Sequence, residues 1–170
     1  MIISNAGPLI YLAKLRKLNL LQRLFKDVII SKEVYEEVVK GKEEKFFDAL
    51  IIKKSIEEGW IKVKESKADK KISQFAPEID QGEISTINLA KKFKPSLVLI
   101  DDASGRAIAE SFGLNVKGTL YVLLRAYRKK LINKKEAKDS VNKLVFSGFR
   151  ISQEVYIKVL EELDKSYKLP

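Results

Sequence analysis

The sequence predicts an α/β protein built on a parallel sheet of about five short strands. Short apolar runs alternate with longer stretches whose apolar residues recur at helical spacing, the pattern of βαβ units. One run, Leu97-Val98-Leu99-Ile100, is continuously apolar rather than alternating, which suits a strand covered on both faces. The 170 residues, 45% hydrophobic and 33% charged, suffice for one domain with a substantial core.

Taken in order, Ile2-Ile3 is the first strand and ends at Ser4-Asn5-Ala6-Gly7-Pro8. Pro8 suits the first position of a helix, and Asn5 to Gly7 are turn and cap residues. Leu9, Ile10, Leu12, Ala13 and Leu15 form a helical stripe, resumed after a short break by Leu18 to Phe25. Val28-Ile29-Ile30 is the second strand, and Ser31 caps a helix from Lys32 to Val39. Val34 and Val38 line its buried face, with Glu37 at the core edge. A longer helix is expected over Lys42–Glu58, closed by Gly59, then an edge strand over Trp60–Val63. Lys64 to Pro77 is polar and expected to be a loop or frayed helix. Asp80-Gln81-Gly82-Glu83 opens the next helix, the apolar strand follows, and a helix over Ala103–Phe112 stops at Gly113. Leu114-Asn115-Val116 is the last strand. Helices over Leu120–Lys130, Lys134–Phe146 and from Ser152 to near Leu163 complete the chain. The expectation is one domain, 1–170, with 131–170 as its helical extension.

Composition removes whole classes of chemistry. Without cysteine there is no disulfide and no thiolate metal site. Without histidine there is no histidine-centred triad and no typical zinc site. Acid–base or metal chemistry must rest on oxygen ligands, which favour Mg²⁺ or Mn²⁺. The formal charge is +10, and residues 125–170 supply +6 of it through 12 basic and 6 acidic side chains. A polyanionic partner such as nucleic acid would suit that surface, and so would a lysine-rich, heat-adapted proteome. No apolar run approaches a membrane span and no signal pattern opens the chain, so a cytoplasmic protein is expected.

Right-handed crossovers place the carboxyl ends of parallel strands on one edge, where α/β sheets collect ligands. That edge receives Asn5 after the first strand and Asp101-Asp102 after the fourth, and helices packed above it would bring Glu37 and Glu83. Adjacent carboxylates in a partly buried site repel by about 4 kcal/mol at 4 Å and ask for a cation. Each residue also has a purely structural account. Asn5 fits a turn, Glu37 a solvated helix face, Asp102 a helix cap, and Glu83 a capping box with Asp80.

The order of these segments resembles the PIN-domain family. Ile2-Ile3-Ser4-Asn5-Ala6-Gly7-Pro8-Leu9-Ile10 looks like its opening, where a strand ends in an acid before a small-residue turn. Ile30-Ser31-Lys32-Glu33-Val34-Tyr35-Glu36-Glu37-Val38 is similar to the second motif, with Glu37 as its acid. Gly82-Glu83-Ile84-Ser85-Thr86-Ile87 resembles the third, with Glu83. Leu99-Ile100-Asp101-Asp102-Ala103-Ser104-Gly105-Arg106 resembles the fourth, with Asp102 at the family's acid and Asp101 beside it. Gly113 to Leu120 fits the last strand and its exit, and Gly148-Phe149-Arg150-Ile151-Ser152 resembles the tail of a prokaryotic branch related to toxin–antitoxin ribonucleases.

The resemblance implies a three-layer α/β/α sandwich and a Mg²⁺- or Mn²⁺-dependent endoribonuclease. It implies Glu37, Glu83 and Asp102 as catalytic acids, and those three with Asn5 and Asp101 as metal ligands. Lys14, Ser104 and Arg106 would contact phosphates, or else lie on an ordinary solvated surface. The implied partners are RNA, an antitoxin protein and a second copy of the chain as a homodimer. Asn5 departs from the family's aspartate. Its amide oxygen can coordinate a hard cation but brings no charge. The alternative is therefore a catalytically weak module that binds nucleic acid or a partner.

Overall fold

The computed structural model describes residues 1–40, 47–66, 72, 74 and 77–165. It comprises two compact units, Met1–Thr119 and Leu120–Pro170. The first holds a five-stranded, all-parallel sheet: β1 (Ile2–Ser4), β2 (Val28–Ser31), β3 (Ile61–Lys64), β4 (Val98–Leu99) and β5 (Val116–Lys117). The spatial order is β3-β2-β1-β4-β5. Ile3 pairs in register with Ile29 on one side and Val98 on the other.

The chain winds outward from β1 through β2 to the edge strand β3. It then returns past its start to place β4 on the other side of β1. The direction of winding thus reverses between β1 and β4, the place where doubly wound sheets open a crevice at their carboxyl ends.

Among the described residues, the helices of this unit include α1 (Ala6–Lys14), α2 (Asn19–Phe25), α3 (Lys32–Tyr35), α4 (Phe47–Glu57), α5 (Gln81–Phe93) and α6 (Ala103–Ser111). Ile3, Ile29, Val98, Ile100 and Val116 share one core cluster with Ile84, Ile87 and Ala90 of α5 and Ile108 and Ala109 of α6. Their alternates Ile2, Val28, Ile30, Leu97 and Leu99 are buried too. With both faces covered, the unit is an α/β/α sandwich, and the continuous apolar run at Leu97–Ile100 has its reason.

Three details differ from the expectation. Pro8 is the third residue of α1, not the first. Asn5 takes the cap position with extended backbone, and its side chain makes no cap bond. The helix after Ser31 changes at Glu36 into a π-helical turn over Glu36–Lys40. A π turn inserts an extra residue per loop, so Glu37 does not continue the α-helical stripe of Val34. The last strand begins at Val116, because the Leu114 N–H is still held by Ala109 O in the closing turn of α6. The start expected for the helix at Lys42, and most of the Lys64–Pro77 stretch, lie outside the described residues.

The second unit contains the rest of α7 (Thr119–Arg128), then α8 (Lys134–Phe146) and α9 (Gln153–Asp164). Asn133 and Glu136 form a capping box on α8. Asp164 at the end of α9 is paired with Lys134 at 2.7 Å and Lys138 at 2.9 Å. Among the described residues, no helix is long and apolar enough to cross a membrane.

Ile3 is fully buried at the centre of this arrangement. Ile3→Ala is expected to lower the free energy of unfolding by about 2–5 kcal/mol. A urea titration in which the midpoint falls at unchanged slope checks this.

Candidate functional site: an acidic rim at the strand ends

The rim is assembled by backbone pairing. Asn5 follows β1 directly, and its N–H donates to Leu99 O at 2.9 Å, fixing it beside the end of β4. Asp101 and Asp102 follow two residues later on that neighbour. The segments bearing Glu37 and Glu83 are tied by a chain of buried hydroxyls. Ser85 Oγ donates to Gly82 O at 2.9 Å, so the single Ser85 proton is committed. Ser31 must then be the donor in the 2.6 Å Ser31–Ser85 bond, while its oxygen accepts from Val34 N–H at 3.0 Å. That relay links the start of α3 to the start of α5.

Two glycines mark where the segments meet. A Cβ on Gly82 would stand 3.1 Å from Glu37 Oε2, 3.2 Å from Asp80 Oδ1 and 3.3 Å from Asn5 Oδ1. Oxygens from three separate segments therefore surround one small space that glycine leaves open. A Cβ on Gly105 would stand 2.8 Å from the Glu83 carboxyl carbon and 3.2 Å from Ile100. Glycine there lets the third acidic segment lie against the fourth. Gly105 also donates its N–H to Asp102 Oδ1 at 3.0 Å.

Asn5 is 7% exposed, and its Oδ1 is buried without a hydrogen-bond partner. An unsatisfied buried amide oxygen costs free energy and calls for an explanation. Glu83, 4% exposed, is pushed up to about 7. Burial is the largest cause, followed by the charges of Asp80, Asp102 and Glu37, while the hydrogen bond from Asp80 N–H opposes the shift. Glu83 thus senses the other acids of the rim as near neighbours.

The side chains also perform the structural tasks foreseen for them. Asp102 caps α6, its Oδ1 accepting from Ser104 N–H at 2.9 Å as well as from Gly105. Asp80 and Glu83 form a capping box at the start of α5. Asp101 is held by Thr119. Its two oxygens accept the Thr119 N–H at 2.7 Å and the Thr119 hydroxyl at 2.6 Å. Burial raises its pKa, against those two bonds and the charge of Arg106. Ser104 and Arg106 are exposed in the first turn of α6, beside Asp102. Lys14 is exposed at the far end of α1, over the Tyr11 ring and roughly 13 Å of helix from Asn5. The structure therefore gathers Asn5, Glu37, Glu83 and Asp102 at one rim, keeps Ser104 and Arg106 at its edge, and leaves Lys14 apart. It adds Asp80, which the sequence marks only as a cap, although the spacing Asp80-Gln81-Gly82-Glu83 already set two acids on one helix start.

Among the described residues, no three histidine, cysteine or acidic side chains form a group that could hold a metal ion. The three atoms nearest a Cβ on Gly82 are two carboxylate oxygens and one amide oxygen, and the Asn5 oxygen lacks a hydrogen-bond partner. These two carboxylates fall short of a three-acid group, and with the orphaned amide oxygen they make an all-oxygen donor set whose chemistry suits a hard divalent cation.

A doubly wound α/β sheet with acids gathered at its switch point belongs to the class of folds that bind ligands at the strand ends. A family model described as a PIN domain matches residues 1–165, and the chain belongs to the PIN-domain family, a nuclease-type fold. No curated protein and no solved structure matches the chain.

The state of Glu83 predicts how the metal-free protein responds to pH. Between its ordinary 4.5 and about 7, folded Glu83 holds a proton that the unfolded chain has released. The folded state then binds more protons, so stability is highest at the acid end and falls as pH rises through this window. The loss should be on the order of 3 kcal/mol for the full shift. Urea titrations at pH 5 and pH 8 should show it in the parent, and Glu83→Gln should flatten it.

Proposed function

We propose that this protein is a divalent-metal-dependent ribonuclease that hydrolyses RNA phosphodiesters, and that it serves as the toxin of a toxin–antitoxin pair. The observation that carries the reading is the buried, unpartnered Asn5 Oδ1 facing Glu37 Oε2 across the Gly82 space. Family membership supplies the nuclease-type fold, and the +10 charge suits a polyanionic substrate.

Asn5, Glu37, Glu83 and Asp102 would hold Mg²⁺ or Mn²⁺. When bound, the ion lowers the pKa of a water molecule and offsets charge developing on the scissile phosphate. Glu83 must give up its proton to serve as a ligand, and it stands poised to do so near neutrality. Asp102 keeps Oδ1 on the start of α6, so its direction is set by that helix. Asp101 holds Thr119 and orients the turn between strand ends rather than joining the ligands. Ser104 and Arg106, exposed beside Asp102, would meet substrate phosphates.

Asp102→Asn and Glu83→Gln preserve shape and caps while removing charge. Each should reduce Mn²⁺-dependent cleavage of single-stranded RNA by at least about 100-fold, with an unchanged circular dichroism spectrum. Parent-like cleavage by both variants would reject the assignment.

The uncharged ligand at position 5 favours a second reading, a weakly active or inactive module that binds nucleic acid or a partner protein. Asn5→Asp separates the two. A large gain in cleavage marks a site limited by missing charge, whereas RNA binding with no cleavage in either form favours the binding module.

A further inference from the structure

Asp80 has a property that capping alone does not explain. Its Oδ1 accepts the Glu83 N–H at 2.7 Å, a bond that asparagine, serine or threonine would accept as well. Yet a carboxylate occupies the position, with Glu37 Oε2 on the same Gly82 space and Glu83 as its capping-box partner. Three acids around one helix start repel one another, and a neutral cap would remove that cost. A cation in the space would turn the repulsion into attraction. The space also receives Asn5 Oδ1, which is buried, lacks a hydrogen-bond partner and carries no charge. At the end of β1 the chain thus offers the space an oxygen without an anion. On the same space it has Asp80.

We propose that Asp80 is a ligand of the divalent cation and supplies the negative charge that Asn5 lacks. The charge sits at the cap of α5, on the same glycine-kept space that Asn5 reaches from the end of β1. This rests on the metal-dependent reading above. Asp80 thus has two tasks, directing one lone pair to the helix and presenting the rest of its carboxylate to the ion.

The test is Mn²⁺ titration calorimetry on the full chain, with melting of the metal-free protein as control. Asp80→Asn keeps the cap and removes the charge, so it should weaken Mn²⁺ binding by at least about tenfold at a metal-free melting temperature no lower than that of the parent. The exchange variant Asn5→Asp/Asp80→Asn moves the charge to the end of β1 and should recover most of the parent affinity. Glu37→Gln should weaken binding whether or not Asp80 is a ligand. If Asp80→Asn binds like the parent while Glu37→Gln does not, the role of Asp80 is rejected and the metal reading stands. If the exchange variant binds no better than Asp80→Asn, the charge replacement is rejected. If the parent binds no Mn²⁺, the metal reading falls and the role of Asp80 with it.

Discussion

The pairing of β1 with β4 is the constraint on which the rest of the first unit depends. Ile3 is in register with Val98 and Ser4 with Leu99, although the two strands are separated by about ninety residues of chain. This parallel contact closes the largest loop in the sheet and sets the point where winding reverses. It also brings Asn5 beside the residues that precede Asp101 and Asp102, through the bond from Asn5 N–H to Leu99 O. The local strand pairs, β1 with β2 and β2 with β3, could form without bringing any acids together.

Gathering acids on one rim has a cost, and the helices offset part of it. Asn5 stands before α1, Asp80 and Glu83 at the start of α5, and Asp102 at the start of α6. Helix N-termini carry partial positive charge and unsatisfied N–H groups that favour carboxylates. Asp102 and Asp80 accept such N–H groups directly. Glu83 is the residue for which this compensation is insufficient, because its burial leaves it near 7. Asn5 lies outside the scheme, since its side chain caps nothing and its oxygen is buried without a partner. The contrast separates residues whose placement helix formation already explains from one whose placement points to something beyond the fold.

Much of the architecture was legible because the signals are local. The apolar run at Leu97–Ile100 marked a strand buried on both faces, and Ser31, Asn133 and Ser152 marked helix starts where caps are found. Misjudged boundaries had competing local bonds behind them. Leu114 belongs to the closing turn of α6 because its N–H is taken by Ala109 O. Asn5 displaced Pro8 from the first helical position because the helix begins as soon as β1 ends. The π turn at Glu36–Lys40 had no counterpart in the hydrophobic spacing, because a single inserted residue leaves Val34 and Val38 both buried. Among the acids, Glu37, Glu83 and Asp102 were indicated by their place in the strand–helix order. The commitment of Asp101 to Thr119 was hidden, because it depends on a residue 18 positions away.

By itself the sequence determined the α/β class, the strand and helix content, the restriction to oxygen chemistry, and the candidates for an acidic edge. These follow from periodicity, caps and composition, which act over a few residues or over the whole chain at once. Only the tertiary structure decided which oxygens share a space. It put Asp80 beside Glu37 and Asn5 around Gly82, let Glu83 lie against Gly105, and tied Asp101 to Thr119. The reason is that side-chain convergence depends on strand register and on backbones close enough to need glycine, and neither is written in any single segment.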